Sequence, residues 1–561
     1  MSIHLKIAIA QLNPTVGDVS GNIAKARQAR EEANRQEADL IIFTELFISG
    51  YPAEDLILKK SFIQACYDGM LTLKDDTRDN GAGIIIGFPR QDQEGIFNSV
   101  AILDAGKIVS IRDKIHLPNY NEFHEKRTFI SGHTNDIVVF RDNPIGILIC
   151  EDIWENSNIC RHLKKQGAKI LLTLNASPYC RNKLKTRHEI ISTQISHVNI
   201  PIVYVNQVGG QDELIFDGAS FCFNGDRQLA FQMKHFEEQN LITQWYYDEK
   251  SSSLNCISDY TQSKIYIFPT EEETDYNACV VGLRDYVKKN NFHKVIIGLS
   301  GGIDSALCAT IAVDALGKEN VQTIMLPYKY TSNESLEDAA ACAKSLDCRY
   351  DVLPIHDLVD HFFSIMSQFL QEEPSGIVAE NIQSRIRGNI LMTLSNKSEA
   401  MLLTTNNKSE ISIGYGTLYG DMSGGFNPLK DLYKTKVYKL AYWRNAHCIP
   451  CGLGPFKEVI PPRILEKAPS AELRPNQIDE DSLPPYAILD NIIEDIVENN
   501  ESLKNIKKKY STETMRYIEN LLYRSEYKRR QSPLGTKITS KSFGRDRLYP
   551  ISNKFRDQNY E

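Results

Sequence analysis

The sequence predicts an α/β protein with two domains, and three observations support this prediction. In the first half, short apolar runs typical of buried strands alternate with segments that have the periodicity of helices. Around residues 248–275 the alternation gives way to a polar stretch, DEKSSSLN, and an acidic one, EEETD. It then restarts, in a pattern typical of a doubly wound, Rossmann-like parallel sheet. We therefore predict domains at 1–250 and 275–561, joined by a linker at 251–274.

The first half contains a series of predicted strands that end in polar residues. Asn22 is predicted to cap a helix over 23–36, and Asp104-Ala105-Gly106 is predicted to form a hairpin turn. A further helix is predicted over 183–197. The predicted strands are 6–13, 38–45, 83–88, 99–104, 107–114, 145–150, 169–175 and 201–207.

The second half is predicted to start with a helix over 275–290. A strand over 294–300 and a helix from about Asp304 follow. Residues 380–397 have apolar side chains at helical spacing. The remaining predicted strands are 322–327, 349–354 and 401–406.

Composition excludes several classes of protein. The chain has 561 residues and a net charge of −8, which argues against a general nucleic-acid binder. It has no run of about 18 apolar residues that would span a membrane, and its first residues predict a strand rather than a secretion signal. Its 12 cysteines are too sparse for a disulfide scaffold, so we expect reduced thiols and a cytoplasmic location.

Three residues that end predicted strands combine a carboxylate, an ammonium group and a thiol. Glu45 ends LIIFTE, Lys114 ends IVSIRDK and Cys150 ends IGILIC, and strand carboxyl ends are where α/β folds gather their sites. A thiol needs a base or a lowered pKa to attack an amide. A carboxylate can take its proton, and an ammonium can stabilise the oxyanion. An isolated cysteine at a strand end is more often a core residue, so spacing alone does not select these three.

The segments IIFTELFISGYPAEDL, RDKIHLPNYNEFHEKRTF, ICEDIW and NASPY resemble the glutaminase branch of the carbon–nitrogen hydrolase (nitrilase) superfamily. The resemblance implies a nitrilase-type α-β-β-α sandwich and a catalytic triad of Glu45, Lys114 and Cys150. His124 departs from the family pattern, which has an acidic residue there. The positions that the resemblance assigns to glutamine binding are Tyr120, Glu125, Ser177 and Lys183.

The motif GLSGGIDS at 298–305 lies between an apolar strand and a helix. Gly301 and Gly302 let the backbone approach an anion, and the helix N-terminus supplies N–H groups and partial positive charge. Ser300 and Ser305 add hydroxyl groups, and Asp304 is suited to a magnesium ion that bridges phosphates. The motif is neither a Walker A loop nor a G-x-G-x-x-G loop.

The loop resembles that of the ATP pyrophosphatases, which release AMP and pyrophosphate. Together with residues 380–397, 404–438, 469–475 and 526–535, it resembles the NAD synthetase family. The resemblance implies Mg²⁺ at Asp304 and Glu410, and deamido-NAD at Asn381, Glu410 and Lys528. Asn406 departs from the pattern, which commonly has glycine; we expect asparagine to tolerate a left-handed turn there. The implied ATP contacts are Gly298, Leu299, Ser300, Gly301, Gly302, Ile303, Asp304, Ser305, Thr405 and Lys434.

These resemblances imply an enzyme that amidates deamido-NAD with ammonia from glutamine, consumes ATP and works as a homo-oligomer without nucleic-acid or membrane partners. The alternatives are an amidase with a nucleotide-binding regulatory domain, a binding module with an inactive first domain, and other glutamine-fed ATP pyrophosphatases. Cys448-Ile449-Pro450-Cys451 is interpreted as incidental reduced thiols. The basic tail beyond residue 525 is interpreted as a contact for nucleotide phosphates or for a neighbouring subunit.

Overall fold

The computed structural model describes residues 4–134, 136–155, 158–249, 252–257, 268–449 and 452–557. The chain divides into two compact units. The first contains Met1–Gln211 with Ile215–Pro269, and the second contains Asp212–Leu214 with Thr270–Glu561. Among the described residues, no helix combines the length and the apolar character that a bilayer crossing requires.

The first unit is built from two mixed sheets. Its helices are α1 (Val19–Arg35), α2 (Lys60–Asp76), α3 (Glu151–Trp154), α4 (Ile159–Lys165) and α5 (Lys183–Val198). Its strands, with the hairpin β10–β11, are β1 (Leu5–Gln11), β2 (Leu40–Ile42), β3 (Gly83–Gln91), β4 (Ile96–Asp104), β5 (Lys107–Asp113), β6 (Val138–Phe140), β7 (Asn143–Ile149), β8 (Ile170–Asn175), β9 (Ile202–Asn206), β10 (Val208–Gln211), β11 (Leu214–Asp217), β12 (Phe221–Phe223), β13 (Leu229–Gln232), β14 (Gln239–Asp248) and β15 (Ser253–Cys256).

One sheet has the order β15-β14-β1-β2-β3-β4-β5 and the other has the order β13-β12-β9-β8-β7-β6. Buried aliphatic side chains of both sheets, such as Ile42 and Ile147, form a shared core between them. On its other face the second sheet packs against α3–α5 through residues such as Leu148 and Ile195, and α2 packs on β3. This is the α-β-β-α sandwich that the resemblance implied, and that expectation is confirmed.

The prediction that Asn22 caps the first helix is wrong. The helix begins at Val19, and its cap is Asp18, whose side chain accepts a hydrogen bond from Gly21 N at 2.9 Å. Asn22 lies inside the first turn, where its amide donates to Ile48 O at 3.1 Å and accepts from Thr15 N at 2.9 Å. Aspartate and asparagine are comparable caps, so the sequence alone did not decide between them.

The second unit is built on a parallel sheet with the order β18-β17-β16-β19-β20-β21. The strand order reverses at β16, which makes its carboxyl end the switch point where open α/β sheets bind ligands. The strands are β16 (Val295–Gly298), β17 (Val321–Met325), β18 (Arg349–Val352), β19 (Met401–Leu403), β20 (Phe426–Asn427) and β21 (Leu534–Gly535). The helices are α6 (Glu271–Lys289), α7 (Ile303–Leu316), α8 (Asn333–Leu346), α9 (His356–Leu370), α10 (Gly376–Ser398), α11 (Lys408–Ile413), α12 (Lys434–Ala446), α13 (Pro462–Glu466), α14 (Tyr486–Val497), α15 (Leu503–Ile506), α16 (Thr512–Arg524) and α17 (Glu526–Arg529).

Part of the stretch predicted as a linker has regular structure. The strand β15 lies in it, and α6 begins at Glu271, four residues before the predicted start at 275. Thr270 caps α6 by accepting from Glu273 N at 3.2 Å, and three glutamates occupy its first turn. The EEETD run is therefore a helix start, where acidic side chains are favoured by the helix dipole. Residues 258–267 of the predicted linker lie outside the described residues.

Candidate active sites

Cys150 lies in a tight turn between β7 and α3, at the carboxyl end of the strand. Its φ is 43°, a value that non-glycine residues rarely adopt and that costs of the order of 1–3 kcal/mol. Cys150 N donates to Leu174 O at 2.9 Å, which ties the turn to β8. The side chain is buried. A strained backbone therefore places the thiol at this turn, as expected of a functional position.

Lys114 and two carboxylates form a buried cluster with this thiol. Lys114 Nζ donates to Glu45 Oε1 at 2.7 Å and to Glu125 Oε1 at 2.9 Å, and all three side chains are at most 5% exposed. Burial lowers the pKa of Lys114, but the charges of Glu125 and Glu45 outweigh it and hold the pKa well above its ordinary value. Lys114 is therefore held as a cation between Glu45 and Glu125.

Cys150 is near enough to this cluster for its pKa to respond to it. Burial raises the pKa of the thiol, the charge of Glu45 raises it further, and Lys114 lowers it; the net pKa lies well above the ordinary value. The thiol is therefore neutral rather than a ready thiolate. Such a thiol needs a base at the moment of attack, and Glu45 is suited to this role.

Glu125 is the second carboxylate on Lys114, and it also accepts a hydrogen bond from Tyr51 OH at 2.9 Å. Burial raises the pKa of Glu125 from 4.5 to about 7, with Lys114 opposing the rise and Glu45 adding to it. Between these pH values the folded protein keeps a proton that the unfolded chain has lost. The free energy of unfolding therefore falls as pH rises through this window.

The substitution Glu125→Gln tests this titration. Glutamine is neutral at every pH and keeps the acceptor for Tyr51, so the stability of the variant should not fall in this way. We expect the melting temperature of Glu125→Gln, relative to the original protein, to rise between pH 5 and 7 and to level off above pH 7.5. Exposed Glu189→Gln is the control and should follow the original profile. A pH-independent difference for Glu125→Gln would contradict the titration.

The residues assigned to glutamine binding lie on elements that border Cys150. Tyr120 is 46% exposed and donates to Glu151 Oε1 at 2.9 Å. Glu151 directly follows Cys150 in the chain. Ser177 is buried and follows β8. Lys183 begins α5, and its Nζ lies 4.2 Å from the centre of the Trp154 ring. Tyr120 and Glu151 also line a cavity of about 320 Å³.

Sequence reasoning missed several residues that hold this site. Asn98 donates from Nδ2 to Glu45 Oε1 at 2.8 Å, and Ala176 N donates to Glu45 Oε2 at 3.0 Å. Asp152 accepts from the backbone N–H groups of His116 at 2.8 Å and Ile149 at 3.2 Å. Asp152 thus ties the segment after Lys114 to the strand before Cys150. Its place in the ICEDIW motif was the available signal.

In the second unit, the GLSGGIDS loop joins β16 to α7 at the switch point of the sheet. Ser300 N donates to Ser305 Oγ at 3.2 Å, and Gly302 N donates to Ser300 Oγ at 3.3 Å. Leu299 N donates to Ile324 O on β17 at 2.9 Å. The loop therefore holds its shape through its own hydroxyl groups, directly before the N-terminus of α7, a favourable position for an anion.

Gly301 is required by the shape of this loop. Its φ is +81°, and a Cβ added there would lie 2.4 Å from the carbonyl oxygen of Ser335. We expect Gly301→Ala to reduce ATP-dependent product formation by at least about tenfold, because the left-handed backbone and the clash together cost more than about 1.4 kcal/mol. Gly376→Ala is the control, since Gly376 also has positive φ, +53°, but no atom within 4 Å of an added Cβ. Equal activity of the two variants, measured by pyrophosphate release, would contradict this assignment.

Asp304, Glu410 and Lys434 meet at one end of α7. Lys434 Nζ contacts Asp304 Oδ2 and lies 3.5 Å from Glu410 Oε1. Burial raises the pKa of Glu410 to about 8, with Asp304 adding to the rise and Lys434 opposing it. Asn407, which sequence reasoning missed, donates to Asp304 Oδ1 at 2.9 Å and caps α11 by accepting from Glu410 N at 3.0 Å. Asn407 N also donates to Glu410 Oε2 at 3.4 Å, so Asn407 links the two carboxylates.

A cavity of about 430 Å³ brings the predicted ATP and deamido-NAD residues together. Asn381 lies on it and accepts from Thr417 Oγ1 at 2.8 Å, and Lys528 Nζ donates to Gly414 O at 2.8 Å. Gly301 is the predicted residue that does not line it. The predicted residues that do are Gly298, Leu299, Ser300, Gly302, Ile303, Asp304, Ser305, Asn381, Thr405, Glu410, Lys434 and Lys528.

Two expectations about this unit need correction. Asn406 does not have the left-handed backbone that we expected; its amide instead donates to Asp421 Oδ2 at 2.9 Å. The predicted strand over 401–406 ends at Leu403, because the chain leaves the sheet to line the cavity.

The basic tail is largely paired within its own unit. Arg529 and Arg547 both donate to Glu526 Oε2, at 2.7 and 3.1 Å, and Lys537 pairs with Asp546 at 2.9 Å. Among the described basic residues of the tail, Lys528 alone lines the cavity. Of the C-x-x-C pair, Cys448 is exposed and unpaired, and Cys451 lies outside the described residues.

Two family models match the chain: carbon-nitrogen hydrolase over residues 6–245 and NAD synthase over residues 275–532. A glutamine-dependent NAD(+) synthetase from Rhodobacter capsulatus is 42% identical over 559 residues, which cover 100% of both chains. One from Acinetobacter baylyi is 41% identical, with 98% of this chain and 99% of that protein covered.

Solved structures agree with these matches. The glutamine-dependent NAD+ synthetase from Acinetobacter baumannii, in complex with adenosine diphosphate, has a TM-score of 0.77 at 38% identity, covering 99% of this chain and 100% of that chain. One from Cytophaga hutchinsonii has a TM-score of 0.79 at 19% identity, covering 98% and 97%, and supports the fold alone. Identity of about two residues in five over the full length of both chains is decisive: this chain belongs to the glutamine-dependent NAD(+) synthetase family.

Proposed function

We propose that this protein converts deamido-NAD to NAD with ammonia that it releases from glutamine. ATP is consumed, and the other products are AMP, pyrophosphate and glutamate. The observation that carries the proposal is that one chain holds both a buried cysteine–lysine–glutamate cluster and a glycine-loop cavity with converging carboxylates. The domain bounds 1–250 and 275–561 remain part of this proposal.

In the first unit, Glu45 takes the proton of Cys150 as the sulfur attacks the side-chain amide carbon of glutamine. Lys114, held as a cation by Glu45 and Glu125, stabilises the oxyanion of the tetrahedral intermediate. Protonated Glu45 returns the proton to the leaving nitrogen, and ammonia departs from a thioester. Water then hydrolyses the thioester to glutamate, with Glu45 again as base. Tyr120, Ser177 and Lys183 bind the glutamine.

In the second unit, the carboxylate of deamido-NAD attacks the α-phosphorus of ATP, and pyrophosphate leaves. The GLSGGIDS loop and the N-terminus of α7 hold the departing charge, together with Lys434. Ammonia then attacks the acyl-adenylate and AMP leaves with the bonding electrons. Asn381 and Lys528 bind deamido-NAD, and Thr405 binds ATP.

Magnesium fits the carboxylates of this cavity. Asp304 and Glu410 already converge on a single cation, Lys434, and carboxylate oxygens are the ligands that Mg²⁺ prefers. Burial and the charge of Asp304 raise the pKa of Glu410 to about 8, and a bound cation would oppose that rise. Asp304 and Glu410 would hold the ion, which would neutralise negative charge on the pyrophosphate.

We further propose that the protein works in the cytoplasm as a homo-oligomer. Nine described cysteines form no disulfide, which suits a reducing compartment; they are Cys66, Cys150, Cys160, Cys222, Cys256, Cys308, Cys342, Cys348 and Cys448. Size-exclusion chromatography with light scattering tests the assembly, and a monomer at micromolar concentration would contradict it.

A product assay tests the proposed function against an amidase with a regulatory nucleotide domain. With glutamine, ATP and Mg²⁺, we expect AMP to appear only after deamido-NAD is added, in equal amounts with NAD. An amidase would release glutamate and ammonia without AMP under both conditions. The absence of deamido-NAD-dependent AMP from active protein would refute the proposal.

A further inference from the structure

The start of α12 is capped from outside its own sequence. The residue before the helix, Tyr433, makes no side-chain hydrogen bond to it. Instead Lys434 N donates to Ser409 Oγ at 2.9 Å, and Thr435 N donates to Asp490 Oδ2 at 2.9 Å. The first N–H groups of a helix have no partner within the helix. Side chains from α11 and α14 therefore supply the acceptors that α12 needs.

The two capping residues are joined to each other. The hydroxyl of Ser409 donates to Asp490 Oδ1, and both residues are buried. Ser409 thus accepts from α12 and donates to α14 with the same oxygen. Because a buried polar group that loses its partner has no water to replace it, each member of this cap depends on the other.

The cap lies next to two proposed ligand-binding side chains. Ser409 directly precedes Glu410 on α11, and Lys434 is the first residue of α12. An isolated helix as short as α11 is unstable, so its position depends on such contacts. Lys408, on the same helix, donates to Glu498 Oε1 at 2.9 Å and to Thr539 Oγ1 at 2.7 Å. These bonds join α11 to Glu498 and Thr539, and the cap joins α11 to α12.

We propose that Asp490, acting through Ser409, is a positioning residue that sets the separation of Glu410 and Lys434 in the ATP site. Asp490 does not line the cavity, so its effect on ATP passes through the helices that it joins. The inference rests on the proposed function, since it concerns how ATP and its metal are held.

Asp490→Asn tests the proposal with little change of shape. The amide nitrogen would face the Ser409 hydroxyl or the Thr435 N–H, so one acceptor of the cap is lost. With ammonium, deamido-NAD and saturating Mg²⁺, we expect KM for ATP to rise at least about fivefold, the equivalent of one hydrogen bond. Asp495→Asn is the control, because Asp495 lies on the same helix but pairs with Lys509 at 3.0 Å. Its KM should stay within twofold of the original value.

A KM for ATP in Asp490→Asn that equals the control value would overturn the proposal, even if kcat falls. If Asp490 only stabilised the fold, less of the variant protein would be folded, and kcat would fall while KM for ATP stayed unchanged.

Ser409→Ala gives a second measurement if Asp490→Asn folds poorly, since it removes only the hydroxyl. It should raise KM for ATP similarly, and the double variant should be no worse than the worse single variant. Effects that multiply in the double variant would contradict one shared cap. Failure of the proposed function would differ, because the original protein and the Asp495→Asn control would then also make no NAD.

Discussion

Replacing Cys150 with alanine should abolish NAD synthesis from glutamine and leave synthesis from ammonium salts near the original rate. The sulfur is the atom that forms the thioester, and nothing else in the cluster replaces it as a nucleophile. We therefore expect glutamine-dependent turnover to fall by at least about 10³-fold. The ammonium-dependent rate should change less than about twofold, because the substitution alters no residue that lines the cavity of the second unit.

The control is Cys66→Ala, which removes another buried thiol of the first unit, on α2. It should keep both activities. Thiol labelling adds a structural check: an amide-directed electrophile such as a chloroketone analogue of glutamine should modify the original protein and Cys66→Ala but not Cys150→Ala. Loss of both activities in a folded Cys150→Ala protein would contradict separable sites, and retained use of glutamine would exclude Cys150 as the nucleophile.

Replacing Asp304 with asparagine should impair NAD synthesis from glutamine and from ammonium alike. Asp304 receives Lys434 on one oxygen and Asn407 on the other. Asparagine would remove the negative charge. Its side-chain N–H₂ group would also face either Lys434 or Asn407, both of which are hydrogen-bond donors. We expect the rate to fall by roughly 10²–10³-fold with either nitrogen source, as when a group that stabilises developing charge is lost.

Asp357→Asn is the matched control, because Asp357 is an exposed aspartate in the first turn of α9. It should keep both rates. The measurement is pyrophosphate release with deamido-NAD and ammonium across a range of Mg²⁺ concentrations. An Asp304→Asn protein that releases pyrophosphate normally would show that this carboxylate has no part in adenylation.

The features that could be predicted from the sequence are local ones. GLSGGIDS was recognisable because a strand, a glycine turn and a helix N-terminus follow one another in eight residues, and the positive φ of Gly301 has the expected physical cause. Cys150 and Lys114 directly follow β7 and β5, as predicted, whereas Glu45 lies three residues beyond the end of β2 rather than at the strand end. The structure brings Lys114 and Glu45 to 2.7 Å.

The supporting contacts could not be predicted, because they join distant parts of the chain. Asn98 reaches Glu45 across 53 residues, and Asn407 reaches Asp304 across 103. Asn98 lies inside β4 and Asn407 caps α11, and neither has a flanking sequence that marks its distant partner. The strand β14 shows the same limit, since its antiparallel pairing with β1 spans more than 200 residues without any local signal. Such partners become visible only when the sheets are assembled.

The central claim is that nitrogen taken from an amide by the first site reaches the carboxylate activated by the second. The most direct test supplies glutamine labelled with ¹⁵N in its side-chain amide, together with ATP, Mg²⁺ and deamido-NAD, in ammonium-free buffer. The account predicts NAD that carries the label in its carboxamide, with AMP formed in equal amount. Labelled ammonia that accumulates while neither NAD nor AMP appears would contradict it.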